Sequence, residues 1–362
     1  MTMEQIPETM CGIQLTGHGG LDKLELRRDI PVPTLAAGEV LIKVGACGIN
    51  NTDINTRIGW YSKDVVEETS SGGAGGFDEV KGENASWSGV PLKFPLIQGA
   101  DVAGRIVAVG KGVAASRLGE RVMIRPMQNR GDGDWDCITF GSECNGGFAQ
   151  YTKTLAAEAY KVDSTLTDRE LASFPCAYST AENMMVRSDV RRGDRVLITG
   201  ASGGVGSAAV QLAKLRGAQV VAVCGRDKMS QVKEIGADEV IARDETLLDV
   251  GGSQSVDVVI DLVAGPVVPS LMDVLKRGGR YAIAGAIAGP LVEIDFREIY
   301  LKDLTFLGCT HQSPRVFENL VGYIEAGRLS PLVARAYPLA EIQQAQEDFL
   351  SKKFVGKLVL FP

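Results

Sequence analysis

The chain has 362 residues, 45% of them hydrophobic, which is enough for about two domains with sizeable cores. Its 38 Lys and Arg against 45 Asp and Glu leave a net charge of −7, without the basic face that nucleic acid or an anionic membrane surface needs. The opening MTMEQIPETMCG has neither a basic nor an apolar leader stretch, and no run of about 18 apolar residues follows, so secretion and membrane insertion are not expected.

Residues 11–15, 24–27 and 40–46 cluster β-formers between Gly and Pro punctuation, which predicts antiparallel strands. The stretch CGINNTDINTRIGWY follows at 47–61. Residues 62–93 are dominated by Ser, Gly and acidic side chains, and no regular structure is expected there. This segment is either an active-site lid, with Phe77 or Trp87 closing over substrate, or a surface excursion. Residues 94–110 return to β-structure, GERV at 119–122 opens another strand, and NGGFAQY stands at 145–151. Together these predict a partly open antiparallel barrel.

A helix is expected to start at 168–174 and lead into CAYSTA at 176–181. Residues 196–226, VLITGASGGVGSAAVQLAKLRGAQVVAVCGR, then read as strand, glycine turn, helix and second strand. Ala201 stands at the first small position of the turn, followed by Ser202, Gly203, Gly204, Val205 and Gly206. In this A-x-G-x-x-G fingerprint, Gly203 lets backbone approach a pyrophosphate and Gly206 allows close packing of helix on strand. A site for NAD usually carries a carboxylate at the end of the second strand. Here that strand ends in Cys224, Gly225 and Arg226, so Arg226, assisted by Lys228, is expected to pair with the 2′-phosphate of NADP(H). The alternative leaves Arg226 as a solvated cation and gives the ribose to Asp227.

Further strands are expected at 239–241, 256–261, 280–284 and 304–307, with helices at 228–235 and 267–275. This βαβ rhythm predicts a parallel sheet covered by helices on both faces, an α/β fold. Leu262, Gly285 and Ala286 follow strand C-termini, where a ligand crosses an open sheet, and are candidate cofactor contacts. Seven cysteines, odd in number and never in a C-x-x-C pair, read as reduced thiols of a cytoplasmic protein.

The stretch at 47–61, FPLIQGADVAGRIVAVG at 94–110, GGFAQY at 146–151, the glycine turn and the closing GKLVL at 356–360 resemble, in this order, the medium-chain dehydrogenase/reductase superfamily. The resemblance spans almost the whole chain. It implies a GroES-like barrel domain at 1–163, rejoined by 316–362, and a Rossmann cofactor domain at 164–315. It also implies that Thr180 lies beside the nicotinamide, that Lys357 lies near the cofactor, and that the protein pairs into a homodimer by a sheet edge near Leu304.

In the zinc-dependent branch, a cysteine ligand falls where Asn50 stands here and a histidine ligand where Ala100 stands. Of that set only Cys176 is a donor, and a catalytic zinc needs three. The structural zinc lobe needs four cysteines, yet residues 128–145 hold only Cys137 and Cys144. His18 and His311 lie in no ligand cluster. Both zinc sites are therefore expected to be absent.

The replacement, with Asn50, Thr52, Asp53, Ile54, Asn55, Gly59 and Tyr61, is similar to the N-x-[ST]-D-I-N…G-x-Y pattern of zinc-independent quinone oxidoreductases and enoyl reductases. That likeness makes Tyr61 a candidate proton donor or substrate orienter, with Asn50 and Thr52 beside it. In the alternative, Tyr61 is an aromatic wall and water supplies the proton, Thr52 only contacts the cofactor, and Asp53 holds the loop. The expected activity is NADPH-dependent reduction of a quinone or α,β-unsaturated carbonyl. A zinc-type alcohol dehydrogenase and a low-turnover NADPH-binding protein are the alternatives.

Overall fold

A computed structural model describes residues 5–77, 80, 85–131, 133 and 135–362. A hairpin of β1 (Thr9–Leu15) and β2 (Leu24–Pro31) opens the chain, running four residues beyond the expected end at 27. The spine of the first lobe is β3 (Glu39–Gly48), which pairs antiparallel with β4 (Ala103–Val109) and β8 (Tyr151–Leu155). Next to β4 comes β5 (Arg121–Ile124), and beyond it β9 (Ala159–Lys161). A small ribbon of β6 (Met127–Asn129) and β7 (Cys137–Thr139) stands apart. Val40, Ile42 and Val44 of β3 pack with Ile13 and Leu15 of the hairpin, so the apolar positions of these strands form one core.

The second lobe holds the expected parallel sheet. Its strands are β10 (Arg195–Ile198), β11 (Gln219–Cys224), β12 (Glu239–Ala242), β13 (Val256–Asp261), β14 (Leu275–Ile283) and β15 (Thr305–Gly308). They lie in the order β12-β11-β10-β13-β14-β15. The order reverses between β10 and β13, which opens a ligand crevice beyond their C-terminal ends. The chain then returns to the first sheet with β16 (Val333–Pro338) and β17 (Lys357–Phe361). These two pair parallel, and β17 adds antiparallel to Cys47 and Gly48 of β3.

Two expectations need correction. The helix foreseen at 168–174 is split: α3 is a single turn at Asp168–Leu171, and α4 (Pro175–Arg187) starts afresh on a proline at its first position, where a missing N–H costs nothing. The segment after Tyr61 is not without structure. It carries one helical turn at Thr69–Gly72, and backbone carbonyls on both sides of that turn are claimed by the first lobe: Trp60 Nε1 donates to Glu67 (3.0 Å), the Arg57 guanidinium to Gly73 (2.8 Å) and the Leu21 N–H to Ala74 (2.9 Å). Phe77 packs against Gly72 so closely that a Cβ there would stand 2.6 Å from its ring. Residues 78, 79 and 81–84 of the segment lie outside the described residues.

Arg125 and Glu158 form a buried bidentate pair, at 2.6 and 2.8 Å, with side chains 1% and 7% exposed. Arg125 also donates to the Gln312 carbonyl at 3.1 Å and so binds the first lobe to the segment after β15. Removing one member leaves the other charge buried and uncompensated. Arg125→Met is expected to lower unfolding free energy by about 3–5 kcal/mol in urea titrations.

Candidate active site

Helix α1 (Asn51–Ile58) leaves β3 through Asn50, and it is fastened at its start by the Asp53 carboxylate, which accepts the Asn50 N–H at 2.7 Å. The Asn50 side chain turns inward. Its Nδ2 donates to Asp101 Oδ2 at 2.8 Å, and its Oδ1 accepts from Lys357 Nζ at 2.5 Å. Lys357 also donates to the Ile49 carbonyl (2.7 Å) and stands 2.9 Å from Asp101. The other Asp101 oxygen accepts the Cys176 N–H at 2.5 Å, capping the N-terminus of α4. Asp101 and Lys357 are 0% and 3% exposed. Space is tight around them: a Cβ on Gly48 would fall 2.4 Å from Asp101 Oδ2, which explains a glycine after Cys47.

The arrangement shows how Lys357, expected near the cofactor, is held. Its ammonium is already engaged by a carboxylate, an amide oxygen and a backbone carbonyl, so it has no donor left for a phosphate. Its aliphatic stem runs beneath the glycine turn, where a Cβ on Gly204 would lie 2.7 Å from Lys357 Cδ. Asp101 had no assigned role in the sequence. Its signal is the acid after Gly99-Ala100, matched by a lysine near the far end of the chain.

Tyr61 lies one turn past α1 and donates its phenol hydrogen to Thr52 Oγ1 at 3.1 Å. Burial pushes the phenol above its ordinary range, opposed by hydrogen bonds to Thr52 and Asn55, so it holds its proton. Burial also raises the Cys176 thiol strongly, with Asp101 adding to the effect, which keeps it protonated. Thr180, one turn along α4 from Cys176, accepts from Gln312 Nε2 at 3.4 Å. Neighbouring His311 packs on Trp135 with ring centroids 4.7 Å apart. Gln312 Oε1 and His311 Nε2 are buried without a partner among the described residues, so the wall beside Thr180 offers unused hydrogen-bonding groups. His311, read in the sequence as an ordinary loop residue, belongs to this wall.

The glycine turn sits at the switch point. A Cβ on Gly206 would fall 2.2 Å from the Gly200 carbonyl, and Gly200 itself takes the left-handed φ of 58°. Helix α5 (Gly204–Leu215) begins at Gly203 with no side chain capping it, which leaves the first-turn N–H groups of Gly204, Val205 and Gly206 for an anion. Ala201 and Ser202 form the bend: the Ala201 N–H reaches the Val223 carbonyl (3.0 Å), and the Ser202 carbonyl accepts the Gly356 N–H (3.0 Å). Leu262 and Gly285 converge on the same edge, since a Cβ on Gly285 would lie 3.0 Å from the Leu262 carbonyl. Ala286 follows, with its carbonyl accepting from Gly289.

At the end of β11, Gly225 leads into the turn Arg226–Lys228. Arg226 is exposed and stands 3.2 Å from both Asp244 and Glu245. Lys228 is instead buried, and no ion pair engages it among the described residues.

Two lobes meeting at a cleft, with an uncapped glycine-turn helix at the sheet's switch point, define a dinucleotide-linked oxidoreductase. The chain belongs to the medium-chain dehydrogenase/reductase superfamily. An alcohol dehydrogenase GroES-like domain model matches residues 36–164, and a zinc-binding dehydrogenase model matches residues 204–326. The chain is 30% identical to a quinone oxidoreductase of Lama guanicoe over 97% of each protein. It is 46% identical to a candidate alcohol dehydrogenase of Sinorhizobium meliloti 1021, with a TM-score of 0.89 over 99% of this chain and 98% of that one. A 2-octenoyl-CoA carboxylase reductase, solved with NADP and 2-octenoyl-CoA, aligns at 25% identity and a TM-score of 0.82 over 99% and 88% of the two chains. The zinc named in the second model does not fit the residues here. Asn50 is bound to Asp101 and Lys357, Ala100 has no donor, Cys176 is the one thiol of the set, and an ammonium stands beside Asn50 and Asp101.

Burial raises the Asp53 carboxyl from 3.8 to about 7, partly opposed by the Asn50 N–H. Between those values the folded chain holds a proton that the unfolded chain lacks, so this stabilising contribution is complete below pH 3.8 and fades as pH rises through about 7. Urea titrations across that window are expected to show wild-type stability falling relative to Asp53→Asn.

Proposed function

We propose that this protein is a zinc-independent, NADPH-dependent reductase of quinones or α,β-unsaturated carbonyls. The observation that carries this reading is the Tyr61 phenol, part-buried, protonated and hydrogen-bonded to Thr52 beside the Asn50–Asp101–Lys357 group. Bound NADPH would supply the hydride, held by its pyrophosphate on Gly203, Gly204, Val205 and Gly206 and bordered by Ala201, Ser202, Leu262, Gly285, Ala286 and Thr180.

The chain's own part is to orient the acceptor and deliver a proton. A conjugated carbonyl that has taken a hydride at its β-carbon needs a proton at the α-carbon or the oxygen. Tyr61 is placed to give one from its phenol, with Thr52 as the partner from which that hydrogen turns. Asn50 acts as a positioning residue: it fixes the start of α1, and through it the Thr52 and Tyr61 pair. The unpartnered Gln312 amide oxygen and His311 Nε2 offer polar contacts for substrate.

Two further features support the wider reading. Seven free cysteines suit a reducing, cytoplasmic setting. No helix among the described residues is long and apolar enough to cross a membrane. Homodimer formation is supported by the free edge of β15, where Phe306 is 40% exposed and Phe296, Tyr300 and Leu301 lie nearby on the surface.

NADPH oxidation is expected with a panel of quinones and enones, and Tyr61→Phe is expected to lower kcat for enones by about 10²-fold while NADPH affinity holds. Full enone turnover by that variant returns the proton-donor role to water. Elemental analysis of the purified protein is expected to find no stoichiometric zinc; about one ion per chain would refute the metal-free assignment.

A further inference from the structure

We propose that Thr69, on the segment after Tyr61, is a positioning residue that aims the Asn55 amide at the Tyr61 phenol and ties that pair to the loop beyond β14. This rests on the reading of Tyr61 as proton donor and adds to it a residue from outside α1.

Thr69 is 3% exposed and opens the helical turn Thr69–Gly72. The first N–H of a helical turn has no partner within it, and that of Thr69 donates to the Ile287 carbonyl at 3.1 Å. The side-chain Oγ1 donates to Asn55 Oδ1 at 3.2 Å. One residue thus touches two walls. Ile287 follows Gly285 and Ala286, and its neighbour Ala288 is fastened to the second lobe by its N–H on the Val263 carbonyl (3.0 Å). Asn55 belongs to α1 of the first lobe, one turn after Thr52. The turn that carries Thr69 is held between them by Trp60 and Arg57, which take the carbonyls of Glu67 and Gly73 on either side of it.

The effect on the phenol runs through Asn55. Its side chain, 6% exposed, has an oxygen at one end and an NH2 at the other, and the end that faces the phenol depends on what occupies the oxygen. Here Oδ1 accepts from both Thr69 Oγ1 and Asn51 Nδ2, each at 3.2 Å, which leaves the NH2 as the end that meets Tyr61. Burial raises the phenol and hydrogen bonding to Asn55 pulls it back, the sense expected of an N–H donor. A donor at that place stabilises the phenolate left once the O–H proton has passed to substrate. Without the Thr69 hydroxyl the amide loses one of the two contacts that orient it, and turned over it competes with Thr52 for the phenol hydrogen.

Steady-state kinetics with the enone that the wild type turns over fastest test this in a double-mutant cycle. Thr69→Val, which keeps the shape and removes the hydroxyl, is expected to lower kcat about tenfold and leave KM for NADPH unchanged, and Thr69→Ser to stay within about twofold of the wild type. Added to Tyr61→Phe, Thr69→Val is expected to cost less than about twofold, because the hydroxyl acts through a phenol that is no longer there. Should Thr69→Val not accumulate as folded protein, Thr69→Ala takes its place in the cycle. If the valine costs as much in the Tyr61→Phe background as alone, or costs nothing in the wild type, Thr69 does not position the phenol and the proton-donor reading stands. If Tyr61→Phe loses no enone turnover, or the wild type has none, the reading and the positioning role fall together.

Discussion

The buried pair of Asp101 and Lys357 is the constraint on which the cleft depends. One carboxylate and one ammonium join the turn after β3, the strand-leading segment at 99–101, the start of α4 and the last strand, β17. Two charges taken this far out of water are stable only if nearly every lone pair and proton is met, and here Asn50, the Ile49 carbonyl and the Cys176 N–H meet them. The pair therefore says little about net stability and much about geometry. It sets where α1 begins, hence where Thr52 and Tyr61 stand, and it places α4 so that Thr180 faces the wall formed by Gln312.

The same pair accounts for the chemistry of the neighbouring thiol. Burial and Asp101 both oppose a thiolate charge on Cys176. Lys357 favours it but is itself held by Asp101. Asn50, Asp101 and Lys357 thus meet one another's charges and hydrogen-bonding groups within the site.

Much of the architecture was legible in the amino-acid order. The change from period-two β clusters to βαβ rhythm marks the two lobes, and the glycine turn is readable because only small residues survive the close approach of Gly206 to the Gly200 carbonyl. The pattern around Asn50 and Tyr61 is local, and it leads directly to the Tyr61–Thr52 hydrogen bond. What escaped were the partners brought in by tertiary folding. Nothing local shows that Asp244 and Glu245 pair with Arg226, which they reach only once β12 lies beside β11. Lys357 read as a cofactor contact because its neighbours in the chain do not reveal Asp101. The segment after Tyr61 looked shapeless because its order comes from carbonyls claimed by distant side chains, a signal that composition does not carry.

Among those claims, that of Arg57 comes from the interior. Its guanidinium is buried and finds only neutral acceptors: the Gly19 carbonyl (2.8 Å), the Gly73 carbonyl (2.8 Å) and Gln346 Oε1 (2.8 Å). Desolvation lowers the Arg57 pKa to about 10, partly opposed by the charge of Asp22. The segment after Tyr61 thus supplies part of the shell of an interior charge. Cutting the segment away would take the Gly73 carbonyl from that charge and leave it to the Gly19 carbonyl and Gln346.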